Sequence, residues 1–316
     1  MDPTLTTIEK ILMEPEKYYQ ELKGKDIRKF FCQNLGEKLL ISQDDIDKIN
    51  KLINTIHNSS LVIDDIHDNS TLRRNNTASH IKYGIPMALN SGYFSIFHVL
   101  NNLNKDNTIH QNTKEKLFDN LYKAHIGQGL DIYYTQNKII PTMKDYNTMM
   151  YYKTGMLFVS IIDLLMDKLL YKLDDDLVQK KITKEKYDLF LKGILKFSLF
   201  FQIRDDYINI TDVKYWKEKG FCQDFDEQKI SYLITYCTNK KMKNYSKINK
   251  LLNESLKTNE IKCKIILLMN KNGLFDIIYD KLNELKKEIV NILDIQYIFE
   301  QLPYSKFTKN NLQDFS

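Results

Sequence analysis

Apolar positions recur along this chain at steps of three and four, and long runs of that period predict helices rather than strands. The stretch Asp44–Asp68 shows the pattern best: Ile46, Ile49, Ile53, Ile56 and Ile63 fall on one stripe, with Ser60 on the same line. Comparable runs predict helices at Ile8–Lys23, ending near Gly24, and at Met87–Leu103 after Pro86. Further helices are predicted at Thr113–Asn137, Met143–Leu170 and Glu185–Ile210. The last set is Lys229–Cys237, Tyr245–Leu256, Ile261–Asn270 and Leu274–Leu293. Val213–Gln228 is polar and mixed and reads as a loop, and Asn239–Glu260, rich in Lys and Asn, reads as a surface connection with a solvated helix inside. No linker or internal repeat divides the chain, so the expectation is a single all-α domain over residues 1–316.

Composition fits that picture. Ten Gly and five Pro in 316 residues leave few turn formers for many short strands. Forty-six Lys and Arg against 41 Asp and Glu give a net charge of +5, with lysines spread along the chain rather than gathered. A nucleic-acid binder would show a basic stripe with interleaved aromatics, so that class is set aside. Cys32, Cys222, Cys237 and Cys263 form no CxxC pair, and the start Met1-Asp2-Pro3 lacks an apolar segment. The longest apolar run, Gly155–Met166, is interrupted by Asp163 and too short to span a bilayer. Reduced thiols in a cytoplasmic protein without a transmembrane segment are expected, with peripheral membrane contact left open.

Two clusters carry the chemistry. The first is Asp64-Asp65-Ile66-His67-Asp68, followed by Arg73-Arg74. On a helix Asp64 and Asp68 stand one turn apart on one face, where two carboxylates repel unless a cation intervenes. Mg²⁺ takes carboxylate and phosphate oxygens together, and arginine forks match phosphate geometry. The second is Gln202-Ile203-Arg204-Asp205-Asp206-Tyr207-Ile208-Asn209, in which Gln202, Asp205, Asp206 and Asn209 share a helix face. A lone Asp-Asp pair is usually a solvated face, and Asp174-Asp175-Asp176 among lysines is read so. These two clusters each close a dense apolar run, and together with the arginines they predict metal ions gripping a diphosphate.

These motifs resemble those of the trans-isoprenyl diphosphate synthases, most closely the eukaryotic geranylgeranyl diphosphate synthases. Asp64-Asp65-x-x-Asp68 with Arg73-Arg74 is similar to the first aspartate-rich motif, and the segment from Gln202 to Asn209 to the second, with Asn209 where many relatives carry a third aspartate. Gly24-Lys25-x-x-Arg28, His57-Asn58-Ser59-Ser60-Leu61, Tyr83-Gly84-Ile85-Pro86, Gly127-Gln128-Gly129-Leu130-Asp131-Ile132, Lys153-Thr154-Gly155 and Phe221-Cys222-x-Asp224 extend the match from about Glu14 to about Lys287. Departures are Gln228-Lys229 in place of Gly-Lys, Met156 in place of a second Gly, and Ile96 where a bulky aromatic often stands.

The resemblance implies an all-α bundle around a deep central cavity, a homodimer or larger homo-oligomer, and three Mg²⁺ per active site. It implies that isopentenyl diphosphate attacks an allylic cation formed when an allylic diphosphate ionises. It assigns Asp64, Asp68 and Asp205 as metal ligands with Asp206 in support. Arg73, Lys153, Thr154, Gln202, Lys219 and Lys229 are assigned to the allylic diphosphate. Lys25, Arg28, His57 and Arg74 are assigned to isopentenyl diphosphate. Small Ser59 and Ser60 near the first cluster are expected to let the product pass C15 toward C20, with Phe97 and His125, and less so Ile96, as candidate floors. A derived terpene synthase, a farnesyl diphosphate synthase and a non-catalytic regulatory subunit are the competing functions. The first predicts decay of the isopentenyl residues and the last decay of the aspartates, yet both sets are present.

Overall fold

The computed structural model describes residues 3–172, 177–254 and 258–308 and Leu312, so Asp174-Asp175-Asp176 lies outside the described residues. In chain order the helices are α1 (Pro3–Leu12), α2 (Glu14–Glu21), α3 (Ile27–Lys38) and α4 (Gln43–His67). A two-strand hairpin, β1 (Leu72–Arg73) and β2 (Asn76–Thr77), precedes α5 (Ser79–Tyr83), α6 (Ile85–Lys105), α7 (Gln111–Asn137) and α8 (Met143–Met150). A π-helical turn, Tyr151–Gly155, leads into α9 (Met156–Lys172). Then come α10 (Leu177–Thr211), α11 (Val213–Lys219), α12 (Gln223–Asp226), α13 (Tyr232–Asn239) and α14 (Tyr245–Leu252). The chain ends in α15 (Asn259–Lys271), α16 (Leu274–Leu293) and a 3₁₀ turn, Gln296–Gln301. The fold is all-α, as the periodicity predicts.

The described residues group into two compact units. One is Met1–Leu121 with Leu157–Asp188, the other Tyr122–Met156 with Leu189–Ser316. In the first unit α4 packs against α2, α3 and α6. Its predicted isoleucine stripe is buried throughout, each side chain contributing about 2 kcal/mol of transfer free energy. Ser42 caps α4 by accepting the Asp45 N–H, so the helix begins at Gln43, one residue earlier than predicted. Phe31 meets Phe158 edge-on at 5.4 Å. On α2, Glu16 is fully buried, with Lys17 the charge that acts against its burial. It accepts from Gln20 Nε2 at 2.8 Å, and burial pushes its carboxyl up to about 7. In the second unit the end of α10 supplies the core through Phe197, Phe200, Ile203 and Tyr207, with Phe200 edge-on to Phe299 at 4.9 Å.

Four local expectations are corrected. The first predicted helix is two, because Pro15 at the start of α2 lacks the N–H that would continue α1. The helix predicted over Met143–Leu170 is broken by the π turn at Tyr151–Gly155. The segment read as a loop holds α11, capped where Asp212 accepts the Lys214 and Tyr215 N–H groups, and α12. The hairpin at Leu72–Thr77 was not foreseen. Its central residues Arg74 (φ 52°) and Asn75 (φ 60°) are both left-handed, as a tight two-residue hairpin turn requires. The stretch Met143–Leu170 is long and apolar enough to cross a membrane, but 83% of its most apolar window is buried inside the protein.

Candidate functional site

The first cluster sits where α4 ends. Asp68 donates its N–H to the Asp64 carbonyl at 2.9 Å, which places the two side chains one turn apart, and both are half-buried. Asp65 is turned a further 100° and falls on the stripe of Asn58 and Val62, with no exposure at all. There it accepts from Arg73 through Nε at 3.0 Å and through Nη2, and from the Tyr19 hydroxyl. Arg73 also reaches to 3.9 Å of Asp64 Oδ2 and keeps 18% of its side chain exposed. Asp65 is thus a buried counter-ion, while Asp64 and Asp68 remain at the surface of the cluster.

The residues predicted for isopentenyl diphosphate are brought together in the same unit. Arg74 donates from Nη1 to the carbonyls of Tyr19 (2.9 Å) and Leu22 (2.8 Å). Gly24 makes room for it, since a Cβ there would stand 2.9 Å from the Arg74 guanidinium. Arg28, in the first turn of α3, donates to His57 Nε2 at 3.0 Å and lies over the Phe158 ring at 5.0 Å. Burial, then Arg28, Arg74 and Arg73, hold the His57 imidazole well below the usual histidine range, so it is neutral and accepts from Arg28. Lys25 is exposed in the segment just ahead of α3. Arginines gathered at a helix start form a natural anion site.

In the second unit α10 presents Gln202, Asp205, Asp206 and Asn209. Asp205 is half-buried and accepts from Arg204 Nη1 at 2.7 Å, and Arg204 is itself fixed by the Pro303 carbonyl at 2.7 Å. Asp206 is buried and saturated: its oxygens accept from Tyr146 Oη (2.7 Å), the Tyr232 N–H (2.6 Å) and Gln202 Nε2 (2.7 Å). Burial and the nearby Asp224 push its carboxyl up to about 7. Asn209 donates to Asp224 Oδ1 at 2.9 Å, a bond that an ionised aspartate at 209 could not make. Trp216 donates to the Asn209 carbonyl at 2.7 Å.

The π turn carries Lys153 and the buried Thr154. It crosses α7 at Gly127, where a Cβ would overlap the Lys153 backbone, and Lys153 pairs with Asp131 one turn along α7. Gly127 and Asp131 of one motif therefore place Lys153 of another. Lys229 is half-buried and, with Asp224, lines a cavity of about 320 Å³. Lys219 ends α11, and its side chain lies outside the described residues. A larger groove of about 1020 Å³ runs along α16 between Asp280 and Gln296 and holds none of the predicted residues.

Of the chain-length candidates, Ser59 is fully buried, and Ser60 donates to the His57 carbonyl at 2.7 Å. Ile96 is buried, whereas Phe97 is 66% exposed and His125 is exposed. Asp65 and Asp131 stood in motifs read from the sequence but were given no role, and Tyr19 was not singled out, although the period of α4 already set Asp65 on the buried stripe.

Among the described residues no three His, Cys, Asp or Glu side chains form a ready metal cluster. The half-buried carboxylates come as Asp64 with Asp68 and as Asp205. Such sparse oxygen donors suit Mg²⁺, which keeps waters and substrate phosphates as its other ligands.

A polyprenyl synthetase family model matches residues 9–269. A geranylgeranyl pyrophosphate synthase of Aspergillus flavus is 32% identical, over 90% of this chain and 80% of its own length. One of Dictyostelium discoideum is 30% identical, over 88% of this chain and 86% of its own. A protein of Matsumurasca onukii named terpene synthase is 32% identical, over 88% of this chain and 86% of its own. With a match across most of its length and with the motifs in place, this chain belongs to the polyprenyl synthetase family.

Proposed function

We propose that the protein is a trans-prenyltransferase that condenses isopentenyl diphosphate with an allylic diphosphate to make geranylgeranyl diphosphate (C20). The observation that carries the reading is the isopentenyl side of the site: Arg28, His57 and Arg74 are built into one cationic cluster beside Asp64. An enzyme that only ionised a prenyl diphosphate would have no use for it.

Asp64, Asp68 and Asp205 would hold Mg²⁺, three ions in the full reading, which supplies positive charge to the departing diphosphate. Arg73 holds the allylic diphosphate while Asp65 fixes its orientation. Lys153, Lys219 and Lys229 add charge to the same substrate. Thr154 and Gln202 turn oxygen dipoles toward the developing cation. Gln202 can do so because its amide N–H is committed to Asp206. Lys25, Arg28, His57 and Arg74 hold isopentenyl diphosphate with its double bond toward the cation, and the proton lost afterwards passes to the departed diphosphate. Ser59 and Ser60 leave room for a growing tail. A homodimer or larger homo-oligomer in the cytoplasm completes the reading.

Incubation with Mg²⁺, isopentenyl diphosphate and C5, C10 or C15 allylic diphosphate tests it. Mass spectrometry should find a C20 diphosphate from at least one starter. The second reading, suggested by the Matsumurasca relative, predicts a diphosphate-free hydrocarbon with isopentenyl diphosphate unconsumed, and that outcome would overturn the first.

A further inference from the structure

The two arginines behind the first aspartate cluster carry like charge on neighbouring residues of a tight hairpin, one of them in left-handed backbone. Left alone they would repel and spread. One residue of α2 touches the support of both. Tyr19 is fully buried, with Val62 and Ala88 in the same core cluster. Its hydroxyl accepts the Ser79 N–H at 2.9 Å and donates to Asp65 Oδ2, the oxygen that also accepts Arg73 Nε at 3.0 Å. Its carbonyl accepts Arg74 Nη1 at 2.9 Å.

We propose that Tyr19 is a positioning residue for the diphosphate-binding arginines: its hydroxyl sets Asp65 and, through it, Arg73, while its carbonyl holds Arg74. This deepens the proposed function and rests on it. The logic is one of lone pairs. Asp65 is fully buried, so each oxygen depends on the donors the protein provides. Arg73 supplies donors to both oxygens, and the Tyr19 hydroxyl supplies one more to Oδ2. Without that hydroxyl Oδ2 is left with the guanidinium alone, and Arg73 is drawn deeper onto it, away from the exposed edge where a phosphate is met. Burial and the Asp65 charge raise the phenol well above its ordinary range, so it stays a donor throughout the working pH. The hydroxyl acts on Arg73, and the Arg74 bond runs through the backbone. Deleting the hydroxyl should therefore weaken the allylic diphosphate and largely spare isopentenyl diphosphate.

Tyr19→Phe removes one oxygen and keeps the ring packed. Its thermal midpoint is read first, beside that of Tyr18→Phe, which deletes a hydroxyl one residue away that bonds the Thr77 carbonyl instead. Loss of one hydrogen bond to a charged group predicts an allylic KM about tenfold higher in Tyr19→Phe. The isopentenyl KM and kcat should change less than about threefold, a smaller energy than that bond supplies. Calorimetric affinity for inorganic pyrophosphate with Mg²⁺ should fall in parallel, and Tyr18→Phe should match wild type in both readouts. Arg73→Lys keeps charge but cannot bridge both Asp65 oxygens. If Tyr19 works through Arg73, adding Tyr19→Phe to Arg73→Lys should cost nothing further. Should Tyr19→Phe fail to fold, Arg73→Lys and Asp65→Asn answer the same question, since a relay predicts a selective allylic loss in each. An unchanged allylic KM, equal losses for both substrates, or additive effects in the double variant would overturn the proposal. If the wild type makes no prenyl diphosphate, the functional reading fails instead, and the pyrophosphate affinities still decide the role of Tyr19.

Discussion

Asp64-Asp65 and Asp205-Asp206 are the same dipeptide close to the end of a long helix, and in each the second aspartate is turned into the core. The way that buried carboxyl is held differs. Asp65 faces a guanidinium and a phenol, so it is an anion with its counter-ion beside it. Asp206 faces a phenol, an amide and a backbone N–H, all neutral, with Asp224 nearby, and its carboxyl is pushed up to about 7. Adjacent carboxylates on a helix point 100° apart, so one can be presented to a ligand while the other anchors the helix end. The first cluster anchors by charge and orders Arg73, the arginine proposed for the allylic diphosphate. The second anchors by neutral hydrogen bonds and orders Gln202.

The sharpest way to break this comparison is to remove the outward carboxylates. Asp64→Ala and Asp205→Ala should each lower kcat by about a thousandfold or more, as expected when a metal ion that stabilises a leaving group is lost. Circular dichroism should be unchanged, because deleting one of several crowded like charges relieves repulsion. A folded Asp64→Ala enzyme with near wild-type turnover would contradict the assignment.

Removing the inward carboxylates should instead separate the two regions. Asp65→Asn takes from Arg73 its nearest counter-ion and should cost about 2–4 kcal/mol in urea unfolding. Asp206→Asn replaces a carboxyl raised by burial and held by neutral donors, so about 1 kcal/mol is expected. Equal losses would mean that the two anchors are chemically alike.

A third buried carboxyl sharpens the rule. Glu16, like Asp206, is buried, and burial outweighs the Gln20 amide and Lys17 to raise its carboxyl from 4.5 to about 7. A carboxyl raised on folding contributes its stability below the unfolded value and loses it as pH rises through the folded one. Glu16→Gln should therefore raise stability at pH 8 by about 1–3 kcal/mol, with the gain fading as pH falls toward 4.5. A gain that does not vary between pH 4 and 8 would show that Glu16 is ionised throughout.

The smallest effect on rate belongs to the tail. Ser60→Phe, once shown to fold, should keep much of its turnover while its main product shortens toward C15. An unchanged product length would place the growing chain along another path.

Much of this was legible in the sequence, for identifiable reasons. The isoleucine stripe gave α4 within a residue, and α16 was predicted with the bounds it has, because both combine a regular apolar period with a clear start. The break at Pro15 and the cap at Asp212 were also written in the sequence, but the apolar period of the first segment and the polar composition of the second outweighed those single residues. The hairpin left no signal, since Arg74-Asn75 lacks the glycine that usually marks such a turn. Residue types at the site were readable because chemistry restricts them. Tyr19 was not, because a tyrosine on a helix reads as packing until its hydroxyl is seen between Asp65 and Ser79.

The central claim is the division of labour within each aspartate pair, and the Mg²⁺ dependence of turnover in four variants tests it most directly. Asp64→Asn and Asp205→Asn should need far more Mg²⁺ for half-maximal rate, by about tenfold or more for a lost charged ligand. Asp65→Asn and Asp206→Asn should keep the wild-type midpoint and show their losses in substrate KM and stability. A Mg²⁺ midpoint that moves as far in Asp65→Asn or Asp206→Asn as in their outward neighbours would contradict the account.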